Sequence, residues 1–353
     1  MATVRPHRTR SCSSWLAADF RRSPAGAPTG LRLAVALVLA GAAGAWAQVP
    51  STGSVPAYPA RPVELVVHTA AGGGGDIFAR TVAEIIAKEK LLPQPLVVSN
   101  KGGGGGAIAF NYVAGRRGDP YVLLAVPSTV LLTAPLRSGL DIGLDKFTPL
   151  GSLALDPNAL AVRADSPYAT LGDMVEAAKR EPNSIVIAFG SIGGTGHYFA
   201  YQLEKATGAR FRTVSMKGAQ AVLSVLGGHV HATTENLSEV MGQVEAKKMR
   251  VIGVPVAQRI AAAPAIPTLR EQGYDIRSGV RRGFAAPAGI PKEAAAVLEA
   301  MLEKVHQSAE WKAHVARNLL DDTYLNGAGF AHFLAERLPE MVQFMRDAGL
   351  AKP

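Results

Sequence analysis

Two glycine-rich segments contain residues whose types and spacing suit the binding of an anion. The first, HTAAGGGGD, spans residues 68–76, and the second, FGSIGGTGH, spans residues 189–197. Each follows a short apolar run and precedes an amphipathic stretch, which predicts a loop between a strand and a helix. The four glycines before Asp76 leave bare amides at a helix N-terminus, where the helix dipole favours negative charge. The alternative is a tight turn that binds nothing.

Polar side chains near these loops extend the same chemistry. Ser191 and Thr195 add hydroxyl donors, and His197 either contacts the ligand or has a structural role. Arg281 and Arg282 are neighbours in GVRRGFAAPAGIP, and a guanidinium can hold a carboxylate through two parallel hydrogen bonds. The alternative for this pair is two surface arginines. The sequence therefore predicts a small carboxylate ligand shared by the two glycine loops.

Motifs for other chemistry are missing or weak. The chain has no Gly-x-x-x-x-Gly-Lys-Ser/Thr and no Gly-x-Ser-x-Gly, and the spacing of Gly102, Gly104 and Ala107 arises by default within five glycines. His229 and His231 flank one residue without a His-Glu-x-x-His motif or a carboxylate cluster beside them. We therefore expect no metal, no cofactor and no catalytic residue.

The elements that must position the loops follow from apolar periodicity. Short apolar runs at residues 63–67, 96–98, 121–126, 185–189 and 251–254 predict buried parallel strands. Between them, apolar residues recur at helical spacing, as in Phe78, Val82, Ile85 and Ile86. This alternation predicts an α/β fold that is doubly wound, in the sense that helices cover both faces of each sheet. One glycine loop in each half, at the carboxyl ends of strands, has the geometry of a clamp.

The first 57 residues predict export. Residues 1–47 contain six arginines, one aspartate and an apolar stretch from Leu33 that ends in Ala45-Trp46-Ala47. This pattern predicts a signal peptide cleaved after Ala47, with an uncleaved anchor as the alternative, and residues 48–57 predict a flexible lead-in. Removing residues 1–47 lowers the net charge from +9 to about +4, so nucleic acid is a poor partner. The single cysteine, Cys12, lies in the leader, which leaves the mature chain without disulfides.

Five segments, in order, carry a family resemblance. They are YPARPVELVVHTAAGGGGDIFAR, LVVSNKGGGGGAIAFNYVA, FGSIGGTGH, MKGAQAVLSVLGGHV and GFAAPAGIP. Together they resemble the receptors of tripartite tricarboxylate transporters, also called Bug-type solute receptors. The resemblance implies a periplasmic, two-lobed periplasmic-binding-protein (Venus flytrap) fold in which each lobe is a mainly parallel sheet flanked by helices. It implies two crossings of the chain, with residues 58–158 and 282–353 in lobe 1 and residues 159–281 in lobe 2.

The resemblance also implies where the ligand carboxylate is held, namely by amides and hydroxyls of the two glycine loops. With Arg281 and Arg282, the predicted ligand-binding residues are Thr69, Ala71, Gly72, Gly73, Gly74, Asp76, Ser128, Thr129, Ser191, Ile192, Gly193, Thr195, His197, Lys217, Gly218, Ala219, Glu235 and Asn236. The chain departs from the family pattern at Met216, where many members have tyrosine, and at the two arginines, where members often have an aromatic residue.

Two arginines beside the cleft favour a ligand with more than one carboxylate, so we expect a citrate-type di- or tricarboxylate. The alternative is a monocarboxylate, an aromatic acid or an amide-bearing ligand, with Glu235 facing a polar or cationic group. The expected partners are this ligand and integral membrane transporter subunits, and the expected state is a monomer. Two other functions stay open: a periplasmic sensor, and an enzyme in which Asp76, His197 or Glu235 acts as acid or base.

Overall fold

The structure is a computed structural model, and it describes residues 58–72, 74–138, 142–216 and 219–351. The predicted signal peptide and lead-in therefore lie outside the described residues. The strands are β1 (Val63–Val67), β2 (Leu96–Asn100), β3 (Val122–Pro127), β4 (Phe147–Pro157), β5 (Leu160–Arg163), β6 (Val186–Phe189), β7 (Arg212–Ser215), β8 (Ala232–Thr233), β9 (Met249–Gly253), β10 (Gly279–Pro287) and β11 (Leu325–Asn326). The α-helices are α1 (Gly74–Lys88), α2 (Ala107–Ala114), α3 (Ser128–Ser138), α4 (Leu171–Arg180), α5 (Thr195–Thr207), α6 (Gln220–Leu226), α7 (Leu237–Glu245), α8 (Lys292–Gln307), α9 (Ala309–Arg317) and α10 (Gly327–Asp347).

The strands form two sheets, one for each lobe. The first has six strands in the order β11-β4-β10-β3-β1-β2, and the second has five in the order β7-β6-β8-β5-β9. The prediction of a two-lobed α/β fold is confirmed. The chain passes from the first sheet to the second after β4 and returns before β10, so two crossing segments, residues 157–160 and 254–278, join the lobes.

Both sheets are mixed, which corrects the expectation of mainly parallel sheets. In the first sheet β1 pairs in parallel with β2 and β3, whereas β10 pairs antiparallel with β3 and β4. In the second, β6 pairs in parallel with β7 and β8, but β5 pairs antiparallel with β8 and β9. The run at residues 251–254 was therefore wrongly predicted as parallel. The physical reason is that β5 and β10, the strands that follow the two crossings, run opposite to both of their neighbours in the sheet.

Helices cover both faces of each sheet. On one face of the first sheet, α1, α8 and α9 bury a cluster that includes Phe78 and Trp311, and on the other face α2, α3 and α10 bury Phe110 and Phe330. In the second sheet α4 and α5 pack on one face and α6 and α7 on the other. Burial of these apolar stripes holds the N-termini of α1, α3 and α5 close after the carboxyl ends of β1, β3 and β6.

The first crossing is tied to the second lobe by buried amide side chains. Asn158 Nδ2 donates to the carbonyl of Thr234 at 3.0 Å, and Ser278 Oγ donates to Asn158 Oδ1 at 3.0 Å. Asn236 Nδ2 donates to the carbonyl of Asp156 at 3.1 Å. Since buried polar groups are costly to leave unpaired, these bonds fix the segment after β8 relative to the end of β4.

Two further findings concern the described ranges only. None of their helices combines the length and apolarity needed to span a bilayer. Their histidine and carboxylate side chains form no group of three or more that is placed to hold a metal ion.

Candidate functional site

The first glycine loop is held from inside by Asp76. Its carboxylate is buried and accepts hydrogen bonds from the amide of Gly72 at 2.8 Å, from Arg80 Nε at 3.0 Å and from Asn100 Nδ2 at 2.9 Å. The hydrogen bond from Arg80, followed by that from Gly72, lowers the pKa of Asp76 to about 2. Gly72 has φ +79°, a conformation that residues with a Cβ adopt only at a cost. Asp76 therefore fixes the shape of the first loop through the amide of Gly72.

The second glycine loop is held by an aromatic stack. The amide of Gly193 donates to His197 Nδ1 at 3.1 Å, so this ring nitrogen carries no proton. The imidazole stacks on Phe189 with centroids 4.3 Å apart and meets Phe344 of α10 edge-on at 5.0 Å. Burial lowers the pKa of His197 to about 4, so the ring is neutral at pH 7. His197 lies in the loop but faces Phe344 of the other lobe.

Arg282 is the arginine that lies beside the first glycine loop. A Cβ added to Gly74 would lie 3.7 Å from Arg282 Nη2, and the guanidinium forms an ion pair with the buried Asp156. Burial and the charge of Arg282 lower the pKa of His68, the residue that precedes the loop, to about 4. A guanidinium and the N-terminal amides of α1 thus share one location, which is the donor set of a carboxylate site.

Glu235 is the residue that the second lobe brings toward this location. Its side chain is 9% exposed, and a Cβ added to Gly190 would lie 3.0 Å from Glu235 Oε1. Burial raises the pKa of Glu235 well above its usual range, and the neighbouring carboxylate of Glu239 raises it further. Glu239 also interacts electrostatically with Asp156 and Arg282. A protonated Glu235 can donate a hydrogen bond, which an ionised carboxylate cannot.

A path of neighbouring residues therefore runs from the first glycine loop to the second. Along this path lie, in order, Gly74, Arg282, Asp156, Glu239, Glu235 and Gly190. Three oxygens near this path are buried without a hydrogen-bond partner among the described residues, namely those of Thr69 (Oγ1), Asp156 (Oδ1) and Glu235 (Oε1). Unpaired buried polar atoms are costly, so they mark a place where a polar ligand would gain hydrogen bonds. We name this location the interlobe site.

Arg281 lies elsewhere, because successive side chains of β10 point to opposite faces. Its guanidinium donates to Ser152 Oγ at 3.0 Å and to the carbonyl of Thr323 at 2.7 Å. It lines a cavity of about 540 Å³ together with Ser128 and Thr129. The predicted ligand-binding set is thus divided between the interlobe site and this second cavity.

The remaining predicted residues have different surroundings. Ile192 is an exposed side chain of the second loop, and Ser191 supplies a carbonyl that accepts from the amide of Gly194 at 3.0 Å. Asn236 directs its amide to the crossing segment. Thr195 begins α5, Ala71 lies in the first loop, and Ala219 precedes α6. Gly73, Lys217 and Gly218 lie outside the described residues.

Sequence reasoning missed Asp156, Glu239 and Asn158. Asp156 ends a strand that was not predicted, and Asn158 belongs to the crossing. Glu239 lies in the first turn of α7 but Glu235 precedes this helix, so their spacing of four residues did not by itself predict that the two carboxyl groups would be neighbours.

The three residues considered for acid–base catalysis do not converge. The carboxylate of Asp76 is engaged by Arg80 and Asn100, and the ring of His197 lies between Phe189 and Phe344. Glu235 neighbours Glu239 instead. The arrangement offers hydrogen bonds and charge to a bound molecule, which is the chemistry of a two-lobed solute-binding receptor.

Comparison with known proteins gives the family. Residues 78–350 match TctC, the tripartite tricarboxylate transporter family receptor, and the chain belongs to this family. The family and the fold are those of substrate-binding receptors, and receptors of this family are periplasmic. The predicted resemblance is therefore confirmed.

Three similar proteins illustrate the match. A Cupriavidus necator protein, the UPF0065 protein in the gbd 5′ region, is 29% identical over 312 residues, which cover 87% of this chain and 93% of the relative. The crystal structure of a TctC solute-binding protein from Polaromonas, without ligand, is 33% identical with a TM-score of 0.73 and covers 82% of this chain and 99% of that one. R. palustris Rpa4515 with adipate is 25% identical with a TM-score of 0.70 and covers 83% and 99%.

Proposed function

We propose that this chain is a periplasmic receptor that binds a small dicarboxylate at the interlobe site and delivers it to integral membrane transporter subunits. The observation that carries the proposal is the placement of Arg282 beside Gly74 at the N-terminus of α1. The solved relative named with adipate supports the choice of a linear dicarboxylate.

The first carboxylate would bind to the amides at the N-terminus of α1, beside Gly74, and to Arg282. The guanidinium has five N–H groups, and the ion pair with Asp156 uses only some of them. The others can donate to a second anion. The helix dipole adds attraction at the same place. Thr69 Oγ1, buried and unpaired, adds a hydroxyl in reach of Gly75.

The second carboxylate would bind toward Gly190 and Glu235. At pH 7 a protonated Glu235 donates to a ligand oxygen without adding negative charge. The described side chains of this location include one arginine and three carboxyl groups, those of Asp156, Glu235 and Glu239. Each ligand carboxylate beyond the first would lack a cationic partner and would have to bind to neutral donors such as a protonated Glu235, so this charge balance favours two ligand carboxylates over the three of citrate.

Ligand-induced stabilisation tests the proposal. The mature protein, refolded to remove ligand carried through purification, is titrated with adipate, citrate and alanine while the unfolding temperature is followed. Adipate at a hundredfold over its dissociation constant should raise the free energy of unfolding by about 2.7 kcal/mol. Citrate and alanine should give much smaller shifts.

Arg282→Met supplies the matched variant, since it keeps the length of the side chain and removes the charge. It should weaken adipate binding at least about tenfold, the usual effect of losing a charged hydrogen-bond partner. Arg163→Met, at an exposed arginine of β5, is the control and should bind adipate normally. Stabilisation by citrate but not by adipate would contradict the choice of ligand.

A further inference from the structure

The cavity that contains Arg281 lies at the crossing segments, on the other face of β10 from Arg282. Its lining comes from both lobes and from the second crossing: α3 and α10 of lobe 1, Tyr198 of α5, and Pro255 and Ser278 of the crossing. The volume of about 540 Å³ falls in the range of small-molecule sites. We call it the crossing cavity.

Arg281 is a buried cation without an ion-pair partner. Its side chain is 8% exposed, and no carboxylate lies within 4.0 Å of its nitrogens in the described ranges. Burial lowers the pKa of Arg281 to about 10, so the guanidinium remains charged at pH 7. Asp321, which also lines the cavity, attracts Arg281 from beyond 4.0 Å and compensates its charge in part. A buried charge without a direct partner is costly, and an anion in the cavity would offset that cost.

The hydrogen bonds of Arg281 leave one edge of the guanidinium unused. Nη1 donates to Ser152 Oγ and to the carbonyl of Thr323, and Nη2 donates to Thr323 Oγ1 at 3.2 Å. Nε is buried with no partner. Three of the five N–H groups are therefore paired, and those on Nε and Nη2 remain, the pair that can bind a carboxylate through two parallel bonds.

A helix N-terminus lies at the same cavity. Ser128 and Thr129 begin α3, whose first turn has no acidic residue, so its amides and dipole are available to an anion. Ser128 Oγ accepts from the amide of Arg281 at 3.3 Å, which leaves the hydroxyl hydrogen to donate. The nearby Glu340 is already engaged by Tyr198 and Arg337, at 2.8 and 2.6 Å.

Other charged side chains line the crossing cavity, and they have partners of their own. Arg337 donates to Glu340, Arg277 forms an ion pair with Asp275, and Glu336 contacts His332.

The cavity also has an apolar wall, which includes Leu132, Leu155, Val256, Phe333 and Met341. The Phe333 ring lies 5.0 Å from the Arg281 guanidinium carbon and would flank a carboxylate held there. Arg281 and this wall suit a molecule with one carboxylate and an apolar or aromatic body.

We propose that the crossing cavity is a second ligand site, which takes a small monocarboxylate with an apolar body on Arg281, Ser128 and Thr129. Because both lobes and a crossing line the cavity, its occupant contacts groups that move relative to one another when the lobes open. Its binding is therefore coupled to that of the interlobe ligand, in both directions. Binding in the crossing cavity does not require that the proposed dicarboxylate site exists.

Calorimetry with two probes tests the site. Benzoate is titrated into the mature protein and into protein saturated with adipate. We expect benzoate to bind in both cases. Arg281→Met should weaken benzoate binding at least about tenfold and change adipate affinity less than about threefold, whereas Arg282→Met should do the reverse. Thr129→Val, which keeps the side-chain shape, should weaken benzoate about fivefold and serves if Arg281→Met does not fold.

Several outcomes would overturn the proposal. They are the absence of benzoate binding at millimolar concentration, displacement of benzoate by adipate at a single site, or unchanged benzoate affinity in both Arg281→Met and Thr129→Val. Failure of adipate to bind the wild-type protein would count against the dicarboxylate receptor alone. Benzoate binding would then still support the second site.

Discussion

Each glycine loop has its backbone fixed through one glycine amide, but the two loops use different acceptors. Asp76 holds the first loop with charge, through Arg80, Asn100 and the amide of Gly72. His197 holds the second with a neutral ring between Phe189 and Phe344. All partners of Asp76 lie in lobe 1, but Phe344 belongs to the lobe opposite His197. The first loop is therefore fixed within its own lobe, whereas the shape of the second depends on how the lobes meet.

Loss of the charge in the first loop should have the largest effect on stability. Asp76→Asn removes an acceptor of charged hydrogen bonds and should lower the free energy of unfolding by about 2 kcal/mol in urea titrations at pH 7. Because the folded pKa is depressed, this contribution is present above the unfolded pKa of 3.8 and is lost as pH falls toward about 2. The difference between variant and wild type should shrink over that window.

Glu84→Gln is the control for this comparison, because Glu84 is exposed on the same helix and also faces Arg80. It should change the free energy of unfolding by less than about 0.5 kcal/mol. Equal effects of the two substitutions would mean that Asp76 acts only as a surface charge.

Sequence reasoning located both loops because their signals are local. Apolar runs such as residues 63–67 and 185–189, followed by glycines, place a loop at a strand end without knowledge of the rest of the fold. β4 and β10 were not predicted from the sequence, because Pro149, Gly151 and the two arginines interrupt their apolar pattern. In addition, β10 shifts register after Arg282. Without β10 as a strand, alternation could not separate Arg281 from Arg282.

The titration of Glu235 tests the comparison at the second loop. Because the folded pKa of Glu235 is raised, the contribution of this group to the free energy of unfolding is present below the unfolded pKa of 4.5. It is lost as pH rises toward the folded pKa. Glu235→Gln removes this titration and should be more stable than the wild type at pH 8, by on the order of 1 kcal/mol. Thermal unfolding between pH 5 and pH 8 measures the difference.

The same substitution affects binding. The affinity of the wild-type protein for adipate should fall above neutral pH, as Glu235 ionises and repels the ligand, whereas Glu235→Gln should bind adipate with little dependence on pH. Parallel pH profiles of the two proteins would place the titrating group elsewhere.

Substitution of His197 should change stability less than substitution of Asp76. His197→Phe keeps the aromatic stack and loses the acceptor for the Gly193 amide, which should cost about 1 kcal/mol at pH 7. The folded pKa lies below the unfolded value of 6.5, so the wild type loses stability as pH falls from about 6.5 to about 4. The variant should lose less over this range.

His332→Gln, at an exposed histidine of α10, is the control and should follow the wild-type pH dependence. If His197→Phe also follows it, the imidazole of His197 is not the group that is destabilised by protonation.

The insertion of β10 between β3 and β4 imposes an order on folding. The six-stranded sheet cannot close until residues 279–287 have entered it, although β3 and β4 are complete by residue 157. The five-stranded sheet uses only residues 160–253, so all of its partners are available earlier along the chain. For a chain that emerges from its N-terminus, the second lobe can reach its native pairing while the first still waits for a distant strand. The first lobe, which contains Gly74 and Arg282, is thus the last part of the receptor to be assembled.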